Sequence, residues 1–228
     1  MIRIVSSSNR VVAVLSRNPG ARRCKSTVAS EGRFFPKTDS ESLLRKSSST
    51  SVEQTQPAAF NKIAFLGTGN MAQAILNPVV RTGLQPADQV TILDHNRDTA
   101  EFVASEHPGV QIANDIPELL KDADLVVCAV KPQNITAKLL TQIREAPHRP
   151  SHGTFLSVIA GVPLETYYPT GYDKIVRSMP NTPAMIGRGM TVWCATDSLT
   201  TTERDRIGSV LSCLGETVRQ SCADLWSL

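Results

Sequence analysis

The apolar run Ile63-Ala64-Phe65-Leu66 leads without a break into Gly67-Thr68-Gly69-Asn70-Met71-Ala72. An apolar run, then Gly-x-Gly-x-x-Ala, then a helix-compatible stretch constrains the fold more than any other part of the chain. It specifies strand, tight turn and helix in one line. Gly67 permits the turn, Gly69 lets a backbone approach a pyrophosphate, and Ala72 keeps the helix close to the strand. The helix starting near Asn70 would aim its free N–H groups and the positive end of its dipole at phosphates. Leu66, Gly67, Thr68, Gly69, Asn70 and Met71 are therefore candidate cofactor-binding residues. A second strand-like run, Val90-Thr91-Ile92-Leu93, ends in Asp94. An acidic residue there is the expected ribose ligand; the same carboxylate is also placed to cap the helix after it.

From residue 61 onward, strand-like and helix-like segments alternate, which predicts an α/β fold. The expected class is a doubly wound, Rossmann-type dinucleotide-binding domain with a mostly parallel sheet, spanning residues 61–228. Strands are expected at 62–66, 90–93, 109–112, 124–130, 154–159 and 174–178, and helices at 70–81, 97–106, 115–122, 134–145, 163–168 and 201–213. Asp98 and Asp115 stand where helix N-caps would fall. Leu125-Val126-Val127-Cys128-Ala129-Val130 is continuously apolar, as suits a central strand covered on both faces. In such folds ligands bind beyond the carboxyl ends of the strands, so each strand exit is a candidate site.

The net charge of +3 is unevenly placed. Residues 1–60 hold 10 Lys/Arg against 4 Asp/Glu, whereas residues 61–228 hold 14 against 17. The folded part is thus mildly acidic, which speaks against a nucleic-acid partner. No apolar run reaches the roughly 18 residues of a membrane span. Residues 1–30 contain six Arg/Lys and no Asp or Glu, and Arg3, Arg10 and Arg17 recur every seven residues. This pattern predicts a mitochondrial transit peptide; a disordered basic leader on a cytoplasmic protein is the alternative. Residues 31–60 are polar and Ser-rich and predict a disordered linker. The five cysteines form no CxxC pair, so neither a metal site nor a disulfide framework is expected. Cys128 reads as a buried small hydrophobe. His95, His107, His148 and His152 read as surface residues.

The strand exits, taken together, resemble one family. Phe65-Leu66-Gly67-Thr68-Gly69-Asn70-Met71-Ala72 is followed by Ala129-Val130-Lys131-Pro132-Gln133, by Ser157-Val158-Ile159-Ala160-Gly161-Val162, and by Arg177-Ser178-Met179-Pro180-Asn181-Thr182-Pro183. In this order and spacing, with Gly187-Arg188-Gly189-Met190-Thr191 downstream, they resemble the N-terminal domain of pyrroline-5-carboxylate reductase over residues 62 to about 224. The resemblance implies NAD(P)H-dependent reduction of 1-pyrroline-5-carboxylate to L-proline. It places Leu66 to Met71 on the pyrophosphate and Asn114 on the adenosine ribose. Ala129, Val130, Lys131 and Pro132 would line the cleft, and Ala160 and Gly161 would lie near the nicotinamide. Asn181 and Thr182 would bind substrate. A protonated cyclic imine is already an electrophile, so the protein's task is positioning; no catalytic side chain and no metal are expected. Asn96 and Arg97 would grip a 2′-phosphate, favouring NADP, whereas Asp94 would repel one, leaving NAD possible. The resemblance further implies a helical C-terminal domain that cradles the substrate carboxylate and forms a homo-oligomer. The chain stops at Leu228, before that domain would begin. The expectation is therefore a truncated chain, weakly active or inactive alone. The alternative is a non-catalytic NAD(P)-binding protein or a regulatory partner of full-length subunits.

Overall fold

The computed structural model describes residues 59–148 and 150–222. The expected transit peptide, and the expected linker up to residue 58, lie outside the described residues. Eight strands form one sheet: β1 (Ile63–Leu66), β2 (Val90–Leu93), β3 (Gln111–Ile112), β4 (Leu125–Cys128), β5 (Thr154–Ser157), β6 (Lys174–Met179), β7 (Gly189–Ala195) and β8 (Gly215–Arg219). Among the described residues five α-helices accompany it: α1 (Asn70–Arg81), α2 (Arg97–Glu106), α3 (Ile116–Leu120), α4 (Ala137–Glu145) and α5 (Thr201–Ser212). The strand order is β3-β2-β1-β4-β5-β6-β7-β8. All pairs from β3 to β6 are parallel, β7 runs antiparallel to β6, and β8 is parallel to β7. The doubly wound, mostly parallel sheet predicted from the alternation is what forms.

Alternation along the strands divides the core into two layers. Ile63 and Phe65 of β1 face one side with Ile92, Val127, Leu156 and Val176, under Ile75, Leu76 and Val79 of α1 and Ile207, Val210 and Leu211 of α5. Ala64 and Leu66 face the other side with Val126, Cys128, Phe155 and Ile175, under Leu119, Leu120, Ile143 and Tyr167. Every residue of β1, β4 and β5 is buried, because successive side chains point to opposite faces and both faces are covered. Each fully buried large aliphatic or aromatic side chain contributes about 1.5–3 kcal/mol.

Several expectations need correction. β7 and β8 were not anticipated. Residues 163–168 form no α-helix; Leu164–Thr170 is a 3-10 turn with Pro169 inside it, whose missing N–H removes a bond that a longer α-helix would make. Residues 134–145 divide into a 3-10 turn, Pro132–Asn134, and α4, capped by the Thr136 hydroxyl, which accepts from the Leu139 N–H. Asn96, not Asp98, caps α2, its side-chain oxygen accepting from the Asp98 N–H; Asp115 caps α3 as expected. His107 is buried, not on the surface. It ends α2 and packs back on α1, its Nε2 lying 2.7 Å from Asn77 Oδ1. Ile207, Val210, Leu211 and Leu214 are all fully buried against the sheet.

Candidate dinucleotide site

β1, β2 and β4 end level with one another, Leu66 facing Leu93 on one side and Cys128 on the other. The chain leaves β1 through Gly67, whose N–H donates to Leu93 O at 2.8 Å while the Ala129 N–H donates to Leu66 O at 2.9 Å. Gly67 has φ +92°, and a Cβ there would stand 2.9 Å from Ala129 O. Both the backbone and the neighbouring strand exit therefore require glycine. Gly69 differs: its φ is −67° and a Cβ would meet nothing within 4 Å. It is the N-cap of α1 and supplies no side-chain cap to the helix. The first N–H groups of α1 thus face open space at the positive end of the helix dipole, where a phosphate fits.

A cleft of about 730 Å³ lies over these exits, within the size range of small-molecule sites. Of the residues singled out from sequence, Leu66, Gly67, Gly69, Asp94, Asn96, Asn114, Ala129, Val130 and Lys131 line it. Residues not anticipated also line it: Leu93, His95, Thr99, Ile116, Asn134 and Leu139. Leu93, Ile116, Val130 and Leu139 give the cleft apolar surface against which a planar base could pack. Asp94, His95, Asn96 and Asn114 give it a polar rim. Thr68 is buried beneath the turn, Asn70 is exposed on the first turn of α1, and Met71 packs toward the core.

The polar rim is tightly cross-linked. Asp94 Oδ2 accepts from the Thr68 N–H at 2.7 Å and from the Thr68 hydroxyl at 2.9 Å. Its Oδ1 accepts from the Asn96 N–H at 2.9 Å and lies 2.9 Å from His95 Nδ1. Burial pushes the Asp94 carboxyl up, but the hydrogen bonds from Asn96 and Thr68, with help from His95, outweigh it and hold the group below the usual carboxylate range. Arg97 Nε donates to Glu101 at 3.1 Å and Nη1 to Asn114 Oδ1 at 3.3 Å. Asn114 in turn donates through its backbone N–H and Nδ2 to Glu118. Arg97 and Asn114 therefore bridge the start of α2 to the start of α3. Lys131 and Pro132 follow β4, Pro132 opening the short 3-10 turn and both residues being exposed.

The exits of β5 and β6 do not line this cleft. Ala160 and Gly161 are exposed after β5, Gly161 with φ +74°. Their turn is anchored from below: Arg177 Nε donates to Val162 O at 2.8 Å, and Ser157 Oγ accepts from the Ile159 N–H at 3.2 Å. Ser157 Oγ also lies 2.6 Å from the Tyr167 hydroxyl; burial pushes that phenol up to about 12. Asn181 and Thr182 are exposed after β6, and Asn181 Oδ1 accepts from the Met190 N–H at 3.0 Å. Asn181 thus ties the β6 exit to the start of β7. Cys128 is fully buried, and burial pushes its thiol up to about 12. Among the described residues no cluster of three or more His, Cys, Asp or Glu could hold a metal ion, and no helix is long and apolar enough to cross a membrane.

Known proteins match this chain over the same region. Residues 62–161 match the family described as NADP oxidoreductase, coenzyme F420-dependent. A pyrroline-5-carboxylate reductase of Staphylococcus aureus (strain COL) is 30% identical over 163 residues, covering 70% of this chain and 59% of that protein. One from Escherichia coli (strain K12) is 33% identical over 157 residues, covering 68% and 57%. Among solved structures, a pyrroline-5-carboxylate reductase of Coxiella burnetii superposes with a TM-score of 0.64 at 25% identity, covering 71% of this chain and 59% of that one. The Plasmodium falciparum pyrroline carboxylate reductase, solved with NADP bound, shares the fold, with a TM-score of 0.61 at 20% identity over 74% and 60% of the two chains. The chain spans less than two thirds of the length of these relatives. The resemblance carried by the four strand-exit motifs is borne out.

Proposed function

We propose that this chain is a member of the pyrroline-5-carboxylate reductase family, to which it is similar at 30–33% identity, and that it holds NADPH in the cleft over β1, β2 and β4 as the cofactor half of a reductase of 1-pyrroline-5-carboxylate. The observation that carries the reading is the uncapped start of α1 at Gly69, opening into that cleft beside the Gly67 turn. The pyrophosphate would rest on the N–H groups of Gly69, Asn70 and Met71. The adenine would lie against Leu93, Ile116 and Leu139. NADPH is preferred to NADH because His95, Asn96 and Arg97 stand exposed beyond β2. The nicotinamide end would run over Ala129–Pro132 toward Ala160 and Gly161, and Asn181 and Thr182 would present an amide and a hydroxyl to the substrate.

The reduced nicotinamide supplies the hydride, and a protonated imine needs little further activation. The chain's own work is to orient cofactor and substrate. The buried Ser157–Tyr167 pair and the Arg177–Val162 bond hold the β5 exit, and the Asn181–Met190 bond holds the β6 exit. Titration of the full chain with NADPH, followed by nicotinamide fluorescence, should saturate, and consumption of NADPH on adding 1-pyrroline-5-carboxylate reports how far the relatives' reaction proceeds. A full chain that binds neither NADPH nor NADH would contradict the reading. The basic, acid-free residues 1–30 support mitochondrial import; a fluorescent fusion that stays in the cytosol would count against it.

A further inference from the structure

Asp94 is the residue that sequence assigns to a ribose, and its geometry is wrong for that task. The side chain is only 11% exposed. An ionised carboxylate has about four acceptor positions. Here the Thr68 N–H and the Thr68 hydroxyl occupy Oδ2, and the Asn96 N–H bonds Oδ1, which His95 Nδ1 also flanks at 2.9 Å. A ribose hydroxyl would meet one oxygen that already has two donors and another that is bonded and flanked.

What Asp94 does hold is the Gly-rich turn. Thr68 lies between the two cofactor glycines, is fully buried, and directs both of its donors at one carboxylate oxygen 26 positions further along the chain. Gln73 Nε2 donates to Thr68 O at 2.8 Å, so the carbonyl of the same residue is also fixed, from α1. Thr68 is thereby held at its amide, hydroxyl and carbonyl. With Thr68 fixed, Gly69 and the start of α1 have one position relative to β2.

We infer that Asp94 is a positioning residue that clasps the phosphate-binding turn through Thr68 and does not select between NADH and NADPH. The inference rests on the proposal that the cleft holds a dinucleotide. Selection at the ribose 2′ position then falls to the exposed side chains beyond β2, while the Asp94 carboxylate is engaged by the Thr68 and Asn96 donors.

The test is the affinity of the full chain for NADPH and NADH, by nicotinamide fluorescence, in Asp94→Asn, Thr68→Val, the double variant and Thr68→Ser. Losing a hydrogen bond to a charged group should weaken binding by roughly tenfold to a hundredfold. The clasp predicts the same factor for both cofactors, a double variant no weaker than the worse single one, and near-normal binding by Thr68→Ser. Thr68→Val removes one hydroxyl and keeps the shape, so it reports even where Asp94→Asn fails to fold. Weaker NADH binding with unchanged or tighter NADPH binding in Asp94→Asn would overturn the inference, as would additive effects in the double variant. An unsubstituted chain that binds neither cofactor would overturn both the inference and the proposed site.

Discussion

The two helices α1 and α5 pack on the same face of the sheet, yet their N-termini are built in opposite ways. α5 is closed. Thr200 accepts from the Glu203 N–H, and the Glu203 carboxylate accepts from the Thr200 N–H and hydroxyl. α1 begins at a glycine that provides no cap. A glycine that follows α5 contrasts with the one that opens α1. Gly215, at the start of β8, has φ +122°, and a Cβ there would lie 2.3 Å from Gly189 O, whereas a Cβ on Gly69 would meet nothing within 4 Å. α5 and the strand start after it spend their backbone groups and glycine on packing. The start of α1 leaves them open at a cleft, which is what a ligand site costs in lost caps and contacts.

Substitution at either end of α5 should cost stability without any ligand present. The largest effect is expected for Gly215→Ala, which combines a left-handed φ with a clash against backbone; about 3 kcal/mol or more should be lost, read as a lowered denaturation midpoint. Thr200→Ala removes the cap of α5 and should cost about 1 kcal/mol in the same assay. A loss near zero would show that the capping box does not hold that helix.

Acidity should act on both regions alike. Asp94 and Glu203 both sit below the usual carboxylate range. For Glu203, burial pushes upward, but bonds from Lys174 and Thr200 outweigh it. Their stabilisation is present above the unfolded values near 4 and is lost as pH falls through the lower folded values. His107 behaves in the same direction at higher pH. Burial lowers its pKa, with Arg81 adding to the effect, so the unfolded chain binds the proton first. Stability should start to fall below about pH 6.5, and His107→Gln should flatten that part of the stability profile. An unchanged slope in the variant would remove His107 as its source. This is the smallest effect of the set.

The open end was the more legible in sequence. Ile63–Leu66, Val90–Leu93 and Leu125–Cys128 are apolar runs bounded by turn residues, and their exits carry the glycines and the Lys131-Pro132 turn. β7 and β8 escaped because their pattern is thin. Gly189–Ala195 alternates buried and part-exposed residues, with Thr191, Val192 and Trp193 as its β-favouring signal, but it follows a glycine-rich turn. Gly215–Arg219 is a half-exposed edge carrying Glu216 and Arg219. Asp94 stands out in sequence, but its partner does not, since nothing local in sequence joins Thr68 to a carboxylate 26 positions away. His107 was misread because a neighbouring proline signals a loop without saying whether the loop is covered.

The central claim is that the open start of α1 is where the phosphates bind. Gly69→Ala tests it most directly. The backbone there suits alanine and a Cβ meets no protein atom, so unfolding stability should change by no more than about 1 kcal/mol. Titrating the unsubstituted chain and Gly69→Ala with NADPH should give saturation in the first and a roughly hundredfold weaker response in the second, the Cβ standing where the pyrophosphate approaches. Equal NADPH affinity in the two chains would contradict the account.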